Sequence, residues 1–189
     1  GDSKELYGKY STDEIAHDTI TLANHLGWSE FHLVAHSMSG MAGFKTLLID
    51  ARSENRIKSY VAITPVTPDG YPGTNDDIEF LASTVRNRQA SDAAFGALTG
   101  GKLNDAWANY KTSRNKVTSR PEAMDGYLDM WLKEDFSLDL ANAKLKTPVL
   151  VIGGRNDLPG FQEEHYKNTL AKWMPNIDFT YIENAGHYP

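Results

Sequence analysis

The sequence predicts an α/β fold: a parallel sheet flanked by helices and carrying a helical insertion. Two observations carry this expectation. Short apolar runs, each the length of a strand, alternate with segments of helical spacing. Between the second and third runs the strand pattern stops, and about 80 residues read as amphipathic helices alone.

The elements follow in chain order. Ser11 and Glu14 read as a capping box, behind which Ile15, Thr19, Leu22, Ala23 and Leu26 share one face until Gly27, which predicts a helix over 12–26. "FHLVA" at 31–35 has little polar alternation, as expected of a strand buried in a parallel sheet. "MSGMAGFKTLLIDA" after it has helical spacing, so strand, tight turn and helix form one unit. "SYVAIT" at 59–64, "PVLVIGG" at 148–154 and "IDFTYIE" at 177–183 are further strands, with a helix from about Phe161 to Met174 between the last two. "TPVTPDGYPGTNDD" is a turn-rich exit from the sheet into the insertion. The clearest helix beyond it starts at Ser119, has Pro121 in its first turn and Glu122 closing a capping box, and carries Met124, Tyr127, Leu128 and Trp131 on one face. No repeat, low-complexity tract or linker separates the insertion. The expected organisation is therefore one unit, with a core of residues 1–65 and 147–189 and a helical cap of residues 66–146.

Composition excludes several chemistries. A length of 189 residues suits a single domain with a substantial core. A net charge of -6 leaves no basic stripe for phosphates, which argues against nucleic acid as a partner. With no cysteine there is no disulfide framework, thiolate catalysis or cysteine-ligated zinc. The apolar runs fall far short of the roughly 20 residues a membrane span needs. The N-terminal residues carry no signal-peptide pattern, so a cytoplasmic, membrane-free protein is expected, although the chain does not begin with methionine.

"LVAHSMSG" at 33–40 drives a strand straight into Ser37 and then a helix. A nucleophile on such a turn needs small residues two before and two after it, because strand and helix come close there. Ala35 and Ser39 meet that need, whereas Ser39 as the nucleophile would have Met41 as a flank. These residues alone leave Ser37 either a nucleophile or an N-cap of the following helix. A serine hydroxyl needs a general base, and the base a carboxylate. "GGRNDLPG" puts Asp157 just past one strand and "ENAGHYP" puts His187 just past the next. Parallel strands end on one side, so Ser37, Asp157 and His187 can converge, in the order Ser, Asp, His. Asp69, after the preceding strand, is the alternative acid.

These residues resemble the α/β-hydrolase superfamily over essentially the whole chain, through "HLVAHSMSGM", "PVLVIGGRND" and "NAGHYP". The resemblance implies that Ser37 is the nucleophile on its elbow, Asp157 the acid, His187 the base and the insertion the cap. The elbow's usual glycines are here Ala35 and Ser39. Family members carry four strands and an oxyanion loop before the elbow strand and a helix after the histidine loop, while this chain has about 30 residues before and none after. "GDSKELYGKYSTDE" is similar to the stretch that follows the fourth strand's loop. The resemblance thus implies a partial hydrolase in which the backbone N–H of Met38 is one oxyanion donor and the second comes from the loop. It also implies that "FHLVA" lacks a neighbour, and so that the chain either self-associates through an exposed sheet edge or is poorly stable.

Other candidates carry less. His32 and His36 lie on one side of a strand but roughly 13 Å apart, too far to share a metal, so no metal site is expected and His36 packs beside the elbow. "GALTGG" lacks a preceding strand and a following lysine, so it is no phosphate loop. Trp107, Tyr127 and Trp131 of the cap are candidates for an apolar acyl pocket, with core packing as the alternative for each. The expected function is a serine hydrolase of a small ester, lactone or related carbonyl substrate, with no cofactor. Serine at the elbow argues against epoxide hydrolases and haloalkane dehalogenases in the family and leaves esterases, lactonases, carbon–carbon bond hydrolases and perhydrolases. A non-catalytic ligand-binding or receptor protein, or an inactive fragment, on the same fold is the alternative.

Overall fold

The computed structural model describes residues 9–189; the stretch 1–8, assigned above to the core and to the likeness of "GDSKELYGKYSTDE", lies outside the described residues. Strands β1 (Phe31–His36), β2 (Ile57–Ile63), β3 (Val149–Gly154) and β4 (Ile177–Ile182) form one sheet in the order β1-β2-β3-β4. Every pairing is parallel, with Val34 beside Val61, Ala62 beside Val151 and Val151 beside Phe179. All four strands therefore end on one sheet edge, where their following loops meet.

Helix α1 (Thr12–His25) starts where Ser11 Oγ accepts the N–H of Glu14 at 3.1 Å. The Glu14 carboxylate faces Lys9 Nζ at 3.5 Å, so the cap is one-sided and not the expected box. Its packed residues are Thr12, Ala16 and Ala23, whereas Leu22 and Leu26 stand 56% and 47% exposed. Helix α2 (Met38–Ala51) lies much closer to the sheet. A Cβ on Gly40 would sit 2.6 Å from Pro65 Cβ, one on Gly43 would enter the Tyr60 ring, and Tyr60 Oη donates to the Gly40 carbonyl at 2.6 Å. Met41, Phe44, Leu47 and Leu48 thereby reach Tyr60, Ala62, Val149 and Val151 in a fully buried core.

Helices α3 (Asn75–Ser83), α4 (Arg88–Leu98), α5 (Asp105–Thr118), α6 (Pro121–Lys133) and α7 (Ser137–Ala143) fill the connection from β2 to β3. Asn87 and Asn104 cap α4 and α5 through their side chains. α6 begins one residue later than expected. Pro121 at its first position holds Arg120 extended, which makes Arg120 the N-cap and leaves Ser119 to end α5, so the Ser119–Glu122 box does not form. α7 packs on α2 with Phe136, Leu140 and Leu145 in the core, so α3 to α6 are the helices above the carboxyl edge of the sheet.

The helix expected over 161–174 is broken. A single 3₁₀ turn at Pro159–Phe161 precedes α8 (Glu163–Asn168) and α9 (Leu170–Trp173), and the break falls at Thr169, whose hydroxyl takes the His165 carbonyl at 2.7 Å. That side-chain bond competes with the backbone bond that would continue the helix. Among the described residues no helix is long and apolar enough to cross a membrane.

β1 departs from the expectation of a fully buried strand. Its burial alternates, Val34 is 61% exposed, and among the described residues it pairs with β2 alone. The core packs on the other face of the strand, where Phe31, Leu33 and Ala35 lie. Trp28, 49% exposed, adds to the apolar surface near this edge. An open edge of unpaired N–H and C=O groups beside apolar side chains favours pairing with another chain. We propose that the 189-residue chain self-associates through β1. Light scattering coupled to size-exclusion chromatography should give a mass above the 21.0 kDa monomer, and a monodisperse monomer would refute this.

Candidate active site

The turn between β1 and α2 holds Ser37 at φ 57°, ψ -125°, a region that a residue with a Cβ rarely enters. Backbone bonds fix it there: Ser37 N–H donates to the Ile63 carbonyl at 3.0 Å, and the Ser37 carbonyl accepts from Gly40 at 2.8 Å and Val66 at 3.1 Å. Its side chain makes no capping bond to α2, which removes the N-cap reading. The hydroxyl points the other way and lies 2.8 Å from His187 Nε2. The tight approach of helix to strand falls on Gly40 and Gly43, while Ser39 is exposed. Sequence spacing had placed that crowding at Ser39.

His187 sits in the loop after β4, 2% exposed, and its Nδ1 lies 2.8 Å from Asp157 Oδ2. A carboxylate accepts only, so Nδ1 carries the proton and Nε2 is left to accept from Ser37 Oγ. Asp157, 7% exposed, is oriented by two neighbours: its Oδ1 accepts the Leu158 N–H at 2.7 Å, and its carbonyl accepts from Gln162 Nε2 at 2.6 Å. The structure therefore brings Ser37, His187 and Asp157 into one line. Asp69 is not part of it. Its carboxylate takes the Thr67 hydroxyl at 2.5 Å, and that oxygen in turn accepts from His165 Nε2 at 3.1 Å.

The His187 backbone is clamped from both sides. Its carbonyl accepts from His36 Nε2 at 2.8 Å and from Thr64 Oγ1 at 3.0 Å. Its N–H donates to the Leu98 carbonyl at 2.6 Å, at the end of α4. His36 is held below the ordinary histidine pKa by burial, so it is neutral and its Nε2 carries a proton. "GALTGG" has thus a structural use: Gly100 at φ 63° lies against Asn156, and a Cβ on Gly186 would strike Leu98, Thr99 and Gly100. Thr64 and Leu98 were not legible as site residues, because their bonds run between segments far apart in sequence, and Gln162, only five residues from Asp157, carries no pattern that marks its side chain as turned back to the Asp157 carbonyl. Of His32 and His36, the first bonds Ser59 Oγ at 2.7 Å, and among the described residues no cluster of metal-binding side chains occurs.

A cavity of about 210 Å³ opens on Ser37, Met38 and His187 beneath the helices of the insertion. Tyr71, Phe161 and Leu158 wall its sheet side, and Tyr127, Leu128 and Trp131 of α6 its roof. Trp107 is not on the wall. Its ring stacks edge-on behind Tyr188 at 4.9 Å, because Tyr188 fills the space between the first turn of α5 and the cavity, which α5 reaches only farther along, at Asn115. Burial, with the Asp157 charge adding, pushes the Tyr188 pKa up to about 12, so a neutral phenol flanks His187. As the first residue of α2, Met38 presents an N–H with no intrahelical acceptor beside the Ser37 hydroxyl.

Comparison with known proteins bears on the fold. The chain is 23% identical to a protein of Pseudomonas savastanoi pv. phaseolicola that carries the name carbamate hydrolase RutD, over 97% of this chain and 70% of that one. An esterase from Exiguobacterium antarcticum superposes with a TM-score of 0.83 at 16% identity, covering 99% of this chain and 70% of its own. A bromoperoxidase from Bacillus anthracis does so with a TM-score of 0.79 at 20% identity, covering 99% and 71%. The family model described as alpha/beta hydrolase fold matches residues 1–189. With that match running the length of the chain, the protein belongs to the α/β-hydrolase fold family and is an enzyme of its hydrolase class.

Proposed function

We propose that the protein is a serine hydrolase that cleaves a small ester, lactone or related carbonyl compound through an acyl-enzyme, with Ser37, His187 and Asp157 as its catalytic triad. One observation carries this reading: Ser37, in a strained turn at the mouth of an apolar cavity, shares a 2.8 Å hydrogen bond with a histidine whose other nitrogen is held by a buried carboxylate. In this mechanism His187 Nε2 takes the Ser37 proton as Oγ attacks the carbonyl, and the Asp157 carboxylate stabilises the imidazolium. The Met38 N–H donates to the oxyanion. The protonated His187 then passes its proton to the leaving group. Water, activated by the same nitrogen, releases the acyl group and restores Ser37.

A fluorophosphonate probe tests the reading without knowledge of the substrate. Ser37 should be labelled in the wild-type chain, and the Ser37→Ala variant should take up no label. A binding or receptor protein on this fold would remain unlabelled, and that result would refute the proposal.

A further inference from the structure

The cavity at Ser37 is not wholly apolar in its lining. Thr84, Ser91, Asn115 and Met124 line it and also line a second recess of about 380 Å³ between α4, α5 and α6, so the two spaces share one wall. That wall has unused hydrogen-bonding capacity. Ser91 and Thr112 are 4% and 1% exposed, and their hydroxyl oxygens lie 3.1 Å apart. One hydroxyl donates to the other, and the accepting hydroxyl keeps a proton for which the described residues offer no acceptor. The half-buried Asn115 carboxamide likewise makes no hydrogen bond among the described residues.

Charge identifies what these groups fit. Two cations, Arg86 and Lys116, line the recess. Arg86 is committed to Asp125 in a two-pronged ion pair, whereas Lys116 makes no ion pair among the described residues. The hydroxyls and the carboxamide can donate as well as accept, whereas the ammonium only donates and carries charge, so a group that accepts hydrogen bonds and bears negative charge complements all of them. The rest of the lining of the Ser37 cavity includes Phe95, Leu98, Leu128 and Trp131, which suits methylene groups.

We infer that Ser91, Thr112, Asn115 and Lys116 form a subsite for a carboxylate at the end of the acyl group remote from the scissile bond. The substrate class is then a half-ester, or related acyl derivative, of a dicarboxylic acid. This inference rests on the reading of Ser37 as the nucleophile, because it fixes which end of the molecule lies at Ser37.

Two arms of one experiment separate the inference from that reading. In the first, kcat/KM is measured for aryl half-esters of dicarboxylic acids of increasing length and for the aryl alkanoates of equal length. At the length that spans the cavity, the acid-terminated ester should be preferred by about tenfold, mainly through KM. That ratio should fall toward one in Asn115→Leu and in Lys116→Met, and it should shrink as salt is raised. Circular dichroism checks the fold of each variant, and the exposed position of Lys116 keeps the test decisive if Asn115→Leu fails to fold. In the second arm, calorimetry compares binding of the methyl half-ester and the methyl alkanoate to the Ser37→Ala variant, which reads the subsite without turnover. Turnover without an acid preference at any length, or a preference that survives both substitutions, overturns the subsite. Preferential binding in the second arm with no turnover by the wild-type chain overturns the hydrolase reading and leaves the subsite standing. Neither turnover nor preferential binding overturns both.

Discussion

Ser37→Ala is expected to lower kcat on a short activated ester by about four to six orders of magnitude, with little change in KM. The size follows from what remains. Without Oγ there is no acyl-enzyme, and His187 can at best activate water for direct attack, while the Met38 N–H and the cavity still bind and polarise the carbonyl. The fold should survive. Ser37 is held by its own backbone bonds to Ile63, Gly40 and Val66, none of which uses the hydroxyl. A methyl group replaces the hydroxymethyl at the same φ of 57°, so the strain is unchanged and the melting temperature should stay within a few degrees. Ser37→Gly gives an independent check, since it also removes the hydroxyl but relieves the backbone and should melt higher than Ser37→Ala. Unchanged ester turnover in either variant would eliminate the mechanism.

What the sequence made legible was whatever a local pattern records. β2, β3 and β4 announce themselves because apolar runs bounded by turn residues have few other uses, and the sharp turn is marked by Ser37 standing between an apolar strand and a helical segment, although the crowding falls on Gly40 and Gly43 and not on Ser39. The three polar residues Ser37, Asp157 and His187 were legible for a geometric reason: a residue just past a parallel strand lies at the carboxyl edge of the sheet whatever the connections do. Features set by pairs of distant segments were not. The two donors on the His187 carbonyl come from β1 and from the end of β2, and the acceptor of its N–H comes from α4, more than 80 residues upstream. The same limit explains Trp107. An aromatic residue on an amphipathic helix is marked as buried by its spacing, but whether it meets the cavity or another ring depends on how α5 stacks against Tyr188. Leu22 and Leu26 err in the opposite direction, because helical periodicity cannot say whether anything covers the face it defines.

Asp157→Asn is expected to cost about 10⁴-fold in kcat with little loss of stability, and the reason lies in a single backbone N–H. Asparagine has the shape of aspartate, so it can occupy the same buried site. It has only one oxygen, however, and two donors now compete for it: the Leu158 N–H, 2.7 Å from Oδ1, and His187 Nδ1–H, 2.8 Å from Oδ2. Leu158 is the residue next in the chain and its N–H is fixed, whereas the imidazole can exchange tautomers. The carboxamide therefore turns its oxygen to Leu158 and its N–H₂ to His187, whose Nδ1 must become an acceptor. The proton moves to Nε2, which then faces Ser37 Oγ as a donor and can no longer take its proton. Every buried polar group still has a partner in this arrangement, so the melting temperature should change by only a few degrees. Asp157→Ala should behave differently, because it leaves the Leu158 and His187 N–H groups without their acceptor and should lower stability by about 1–3 kcal/mol as well as abolishing turnover. Steady-state kinetics and thermal melts on the two variants check the argument together. Near wild-type kcat in Asp157→Asn would show that His187 does not depend on Asp157 for its tautomer.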